Sequence, residues 1–279
     1  MNLDATVYWT LFSAALVGVA LWEMSNPWRS VSRQLMRRWG NHGALLLVYG
    51  AFLALVFRGS SVLVALAVQH SRFGLLNLIP LPLAARVMLG ILLLDLFRYA
   101  EHRVLHSIPV LWRVHQVHHS DAEIDLSTGI RHHPLENLIA QVFSLATIVL
   151  LAPPASAVLA LQAIGVVQAF FSHANANFPP TLERLLRFVL ITPEMHRVHH
   201  SDEMRDQQAN LGEIFPWWDR LFGTYREAPV AGPERVRIGL KGCDETEAAG
   251  LLFMLGQPFR PAPEPSSNPE EVRVFVSGD

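Results

Sequence analysis

Between Glu136 and Glu183 the chain runs for 46 residues without a formal charge, and the run is broken by Pro153-Pro154. Few folds can accommodate such a segment. Its backbone polar groups need internal partners wherever water is excluded, which helices provide, and the double proline must interrupt any helix that reaches it. The run is predicted to be a helical hairpin over roughly residues 137–152 and 155–172. Each arm is slightly short for a full membrane span, so tilt or local thinning of the bilayer is expected. Composition agrees: of 279 residues 51% are hydrophobic and 16% charged, with mean hydropathy +0.27, too apolar for an ordinary soluble domain.

Two further uncharged stretches, residues 5–22 and 39–57, read as a first and a second span. No Lys or Arg precedes the first, which makes it a poor secretory signal and a retained helix. Between them lie Arg29, Arg33, Arg37 and Arg38, a basic loop that the positive-inside rule puts in the cytoplasm. Residues 59–80 are interrupted by Arg72 and end at Pro80 and Pro82, so they are read as interfacial or re-entrant, and His42 and His70 as interfacial residues. A third span runs from Leu83 to about Tyr99, where Asp95 within LLLDLF is costly unless it faces protein or metal. With 59–80 not crossing, parity brings the third span's end and the hairpin's end to one cytoplasmic face. The expected protein is therefore an all-α integral membrane protein with about four to five transmembrane helices and a cytoplasmic histidine-rich helical cap. Its expected parts are N-terminal spans and interfacial segment (1–82), a histidine-rich region with the hairpin (83–226) and a tail (227–279), largely disordered from about residue 256, where Pro, Ser and Glu dominate.

The cap is where chemistry is expected. Of 13 histidines, 11 lie between His102 and His200. Asp95, Tyr99, His102 and His106 fall on one face of a helix. HQVHHSD at His115–Asp121 is matched by HRVHHSD at His196–Asp202, differing at one residue. Imidazoles three and four apart on a helix can converge on one ion, and eight of them exceed what one ion can use, which favours two metals. Neutral imidazole suits zinc, copper, iron and nickel alike. The residue after the first histidine of each box is Gln116 or Arg197, so the HExxH arrangement of zinc proteases is absent. Cys243 is the only cysteine, which leaves no CxxC zinc site or cysteine-ligated cluster, and a net charge of −2 gives no sign of nucleic-acid binding. The aromatics between Asn210 and Thr224 are read as a packed cap or interfacial anchor.

The motifs DxxxYxxHRxxxH (Asp95, Tyr99, His102, His106), WRxHxxHHS (Trp112, His115, His118, His119), RxHPLE (Arg131, His133, Glu136), FxHxN (Phe171, His173, Asn175), HxxHHS (His196, His199, His200) and NxG…WDRLFGT occur in that order. Over about residues 90–226 the chain resembles the fatty acid hydroxylase/sterol desaturase superfamily. The resemblance implies a membrane-bound non-haem di-iron oxygenase that uses O2 to hydroxylate or desaturate a C–H bond of a lipid or sterol-like substrate. It implies two Fe2+ ions held by His102, His106, His115, His118, His119, His196, His199 and His200, with His173 and His133 completing the coordination and His132 a bystander. Asp95, Tyr99, Asp121 and Asp202, with Glu101 and Glu136, are candidate partners behind the imidazoles. Electrons are expected from an external donor, a ferredoxin or cytochrome with its reductase, since no haem-binding or flavin-binding segment is visible. The competing expectation is a metal-dependent membrane lipid hydrolase using metal-bound hydroxide.

Overall fold

The computed structural model describes residues 3–30, 34–57 and 61–260, and among these every regular element is helical apart from two isolated antiparallel bridges, Pro27 with Ala176 and Ser201 with Ile238. The long helices are α1 (Leu3–Ser25), α2 (Leu35–Val56), α4 (Leu83–Ser107), α6 (Pro134–Leu151) and α7 (Ala155–Ser172), with the short α3 (Ser61–Val68) between α2 and α4. The cap is made of α5 (Pro109–His119), α8 (Pro180–Leu186), α9 (Pro193–His199), α10 (Met204–Gln207), α11 (Trp217–Phe222), α12 (Glu245–Ala248) and α13 (Leu251–Gly256). Three segments are long and apolar enough to cross a membrane by length and composition: Leu35–Val68, which runs over residues 58–60 outside the described set, Pro134–Leu151 and Ala155–Ser172. The 25-residue α4 is as long but carries Arg86, Asp95, Arg98, Glu101 and Arg103.

Prolines set the boundaries that matter. Pro109 is the first residue of α5, and Ile108 before it is extended (φ −101, ψ 116), because a residue preceding proline is kept out of the helical region. The chain therefore turns between α4 and α5 and folds the two helices against each other. Pro134 and Pro193 open α6 and α9 in the same way, and the Thr192 hydroxyl caps α9 by accepting from the Met195 N–H at 3.3 Å. The expected hairpin is α6 and α7, separated at Pro153-Pro154, with Ala152 left-handed (φ 46) at the end of α6.

Both α1 and α4 pack along α7. Where lipid replaces water, apolar packing gains little from the hydrophobic effect, and close contact at small residues carries more of the association. A Cβ on Gly90 of α4 would lie 3.1 Å from the Ala157 Cβ of α7. A tighter contact lies at the site's edge. A Cβ on Gly129 would meet the Ala169 carbonyl at 2.6 Å and the His173 ring at 3.3 Å, so only glycine lets the 126–130 turn seat against α7.

One expectation changes here. His42, read as interfacial, is fully buried: its Nε2 accepts from Arg131 (2.9 Å), so Nδ1–H donates to the Ser127 hydroxyl (2.9 Å). At the start of the tail expected from about residue 256, Gln257 is buried and its amide oxygen accepts from the Ser120 hydroxyl at 2.9 Å, tying residues 257–259 to the first histidine box. The rest of that tail, 261–279, lies outside the described residues, as does Arg33.

Candidate metal centre

Two groups of buried imidazoles meet under the long helices. His102 and His106 from α4, His115 and His119 from α5 and His199 from α9 form one, and His118, His173, His196 and His200 form the other. Within each group the potential ligand nitrogens all lie within 4.8 Å of one another. The two groups touch through His119 and His200, stacked at 4.6 Å with 19° between planes.

The boxes cross over. Along a helix, positions i and i+4 lie about 40° apart, while i+3 and i+4 lie about 100° apart. His115 and His119 therefore serve the first group and His118 the second, whereas in the second copy His196 and His200 serve the second group and His199 the first. Each heptapeptide thus contributes to both groups, so neither group forms from one segment alone.

Hydrogen bonds fix which nitrogen faces inward. His102 Nδ1–H donates to the Leu211 carbonyl (2.8 Å), His173 to Ala169 (2.7 Å) and His199 to Ala209 (3.0 Å), and His115 donates to the Glu136 carboxylate (2.8 Å). These acceptors cannot donate, so in each ring Nε2 keeps its lone pair. Nε2 atoms then face one another in pairs: His102 with His115 at 3.2 Å, His118 with His173 at 3.1 Å and His173 with His196 at 2.9 Å. Both nitrogens of His106 and of His119, Nε2 of His199 and Nδ1 of His118, His196 and His200 are buried without any partner. Leaving buried polar atoms unpaired is costly, at roughly 1–3 kcal/mol each, and an ion would take one nitrogen from each of His106, His119 and His199.

Protonation points the same way. Burial first, then the neighbouring imidazoles, holds His106, His118, His119, His196, His199 and His200 well below the ordinary histidine range. Burial also brings His102 and His173 down to about 3. Neutral rings with inward lone pairs are what a late first-row transition metal takes as ligands, so the residues present fit two such ions.

The other site candidates fall elsewhere. His133 is in neither group: its Nδ1 caps α6 by accepting from the Leu135 N–H (3.1 Å) and its Nε2 reaches the Leu255 carbonyl (3.3 Å). The extended His133-Pro134 step that starts α6 turns the ring outward. His132, read as a bystander, stacks on His118 at 4.5 Å and 14° and shares Glu136 with His115, at 2.9 Å. Against burial, which would lower it, Glu136 raises the His132 pKa.

Asp95 accepts from the Trp218 indole (2.8 Å) and the Phe215 N–H (3.3 Å), and so holds the 210–224 loop and no imidazole. Tyr99 bonds Thr224 at 2.9 Å and stacks on Phe222 at 5.4 Å, a packing role. Asp121 and Asp202 end matching heptapeptides, yet neither reaches a ring of either group. Asp121 pairs with Arg38 (2.7 and 3.0 Å) and accepts from Thr128, and Asp202 lies 3.9 Å from Arg237.

What sequence reasoning missed is the framework behind the first box. Arg38, read as a loop charge, is 3% exposed and also bonds Asp125 at 2.6 Å. Arg131 is fully buried and donates to His42, Ser120 and the carbonyls of Val117 and Ala248. The available signal was charge balance: three acids, Asp121, Glu123 and Asp125, follow the first box with no base between them.

A cavity of about 660 Å³ reaches this centre from between the long helices. His102 and His115 of one group and His118, His173 and His196 of the other line it, together with apolar residues such as Phe12, Leu53 and Val62. Both groups therefore open on one space.

Comparison with known proteins gives the same region. Residues 87–224 match the family model described as fatty acid hydroxylase. The chain is 30% identical over 178 residues to the ornithine lipid hydroxylase of Rhizobium tropici, covering 64% of this chain and 51% of that one. It is 31% identical over 148 residues to human alkylglycerol monooxygenase (52% and 31% covered), and 32% identical over 170 residues to a methylsterol monooxygenase of Aspergillus fumigatus (58% and 53% covered). The chain thus spans about half the length, or less, of the curated relatives it matches. No solved structure matches it. The matched residues include all nine grouped histidines, and residues 87–224 are a region of the fatty acid hydroxylase family.

Proposed function

We propose that this chain is a membrane-bound di-iron oxygenase that uses O2 to hydroxylate or desaturate a C–H bond of a lipid or sterol-like substrate. The observation that carries the reading is that a group of five imidazoles and a group of four each contribute to the lining of one cavity that runs between the long helices. Relatives named as hydroxylase and monooxygenases of ornithine lipid, alkylglycerol and methylsterol support it. In this reading α1, α2, α4 and the hairpin cross the bilayer, the cap lies on the cytoplasmic side, and the electron donor is a separate ferredoxin or cytochrome with its reductase.

His102, His106, His115, His119 and His199 would hold one ion and His118, His173, His196 and His200 the other. When bound, two iron ions supply the activation of O2 that oxidation of an unactivated C–H bond requires. The chain's own residues do the rest. The carbonyls of Leu211, Ala169 and Ala209 and the carboxylate of Glu136 keep the Nδ1 protons and aim Nε2 inward, so the ligand set is arranged before an ion arrives. The apolar wall of the cavity keeps bulk water from the reacting carbon and admits a substrate sideways from the bilayer. Glu136, shared by His115 and His132, can hold a proton beside one ligand of the centre.

The test is metal analysis of the purified protein joined to a lipid oxidation assay with an electron-donor system. About two iron ions per chain, one for each imidazole group, and a product that forms only in air are expected. Product formed under nitrogen would replace the oxygenase reading with metal-dependent hydrolysis.

A further inference from the structure

One side chain from outside the matched region reaches both segments that flank His173. Glu23, in the last turn of α1, is buried, and its Oε1 accepts two backbone N–H groups, from Leu126 at 2.7 Å and from Asn175 at 2.8 Å. The first of these opens the 126–130 turn, whose Gly129 lies against the Ala169 carbonyl and the His173 ring. The second lies two residues beyond His173, where α7 has ended. Asn175 is held at its other groups as well. The Trp28 N–H donates to its carbonyl (3.1 Å), the Arg29 N–H donates to its side-chain oxygen (3.0 Å), and its side-chain amide donates to the Arg29 carbonyl (3.0 Å). Every polar group of Asn175 thus has a partner among residues 23–29. The five-imidazole group is oriented differently. The bonds from His102, His115 and His199 end on Leu211, Glu136 and Ala209, and none of them involves α1 or the residues that follow it.

We infer that Glu23 is a positioning residue for the four-imidazole site. By holding the 126–130 turn and Asn175 on one oxygen it fixes the place of His173, so a helix outside residues 87–224 governs one ion and leaves the other alone. The task needs an acceptor and no particular charge, because both partners are N–H donors. A ligand must be held to within about 0.5 Å, a tolerance finer than the fold as a whole requires. The inference rests on the two-ion reading of this centre.

The experiment titrates Co2+ into the metal-free full chain in detergent and follows the cobalt absorption bands, imidazole being a ready ligand for such ions. The unaltered protein is expected to take up about two ions per chain, one for each imidazole group. Glu23→Leu removes the acceptor at similar size. It is expected to bind one ion as tightly as before and the other at least about tenfold more weakly, the loss typical of a partner behind a ligand. Anomalous scattering from cobalt-loaded crystals should show the weakened ion to be the one that His173→Ala also weakens. Glu23→Gln keeps an oxygen that accepts both N–H groups and is expected to bind both ions as the unaltered protein does. Equal weakening of the two ions in Glu23→Leu would overturn the inference, and so would tight binding of both with only a lower melting temperature. Should Glu23→Leu not fold, Asn175→Ala removes the pair to Arg29 from the same segment, and two ions held as tightly as before would overturn the inference in its turn. The two readings fail separately. No cobalt bound by the unaltered protein ends the metal centre, whereas two ions bound alike with and without the Glu23 carboxylate end only the role of Glu23.

Discussion

The two HxVHHSD copies are nearly the same peptide in different surroundings. The first ends in a buried lattice: Asp121 is gripped by Arg38, and Ser120 donates to Gln257 and accepts from Arg131. In the second, Ser201 is also buried and bridges Ile238, but Asp202 is partly exposed and sits 3.9 Å from a largely exposed Arg237. Their histidines are used crosswise, since the last of the first copy, His119, joins one imidazole group and the last of the second, His200, the other. A short motif sets spacing along a helix, and the neighbours decide which ion each ring serves and whether the acid is structural.

That contrast can be broken most sharply at the ligands. His119→Ala and His200→Ala, equivalent by sequence, are expected to empty different metal positions, with lipid oxidation falling by at least about 100-fold in each, because even groups behind a ligand cost up to that much. Site-resolved anomalous scattering from crystals of the two variants checks it, and loss of the same ion in both would end the crosswise assignment.

The next effect is on acid stability. In the metal-free protein His102 and His173 titrate at about 3, against about 6.5 for an unfolded histidine. The folded state then binds fewer protons than the unfolded one below about pH 6.5. Stability is therefore expected to be complete above about pH 6.5 and to be lost steadily as pH falls toward 3. Thermal unfolding across that range reads it out. Metal loading should move the acid edge downward, as protons and ions compete for the same nitrogens, and an edge indifferent to metal would count against the site.

At the carboxylates the two copies should diverge. Asp121→Asn leaves Arg38 buried without its main partner and is expected to cost about 3–5 kcal/mol in denaturant unfolding. Against the burial that would raise it, Arg38 and its neighbours hold the Asp121 carboxyl well below the usual range. Its stabilising contribution is thus present above about pH 4 and fades only as pH falls below that. Asp202→Asn, the smallest effect, should stay within about 0.5 kcal/mol. Similar losses in the two variants would show that the second box leans on its acid as the first does.

Much of the architecture was legible in the chain. The charge-free run with its double proline marks the α6–α7 hairpin, and a helix-period stripe at His102 and His106 faces two HxxHH boxes because i, i+3 and i+4 geometry is local. His133 and His132 show where that reading stops. Adjacent in sequence, they differ in whether the ring turns toward His118 or out to cap α6, which a proline one residue later and the packing of α5 decide together. Arg38 was misread for a related reason: a basic residue before an apolar run signals a cytoplasmic loop, and its partners lie 83 and 87 residues away.

By itself, then, the sequence determined the helices, their breaks and the stock of imidazoles, because propensity, proline chemistry and helical periodicity act over a few neighbouring residues. Only the tertiary structure decided how nine rings divide into five and four, which nitrogen of His102, His115, His173 and His199 points inward, and that both groups open on one cavity. Those are properties of groups brought together from distant parts of the chain, as His102 and the Leu211 carbonyl 109 residues on, and no local rule reaches that far.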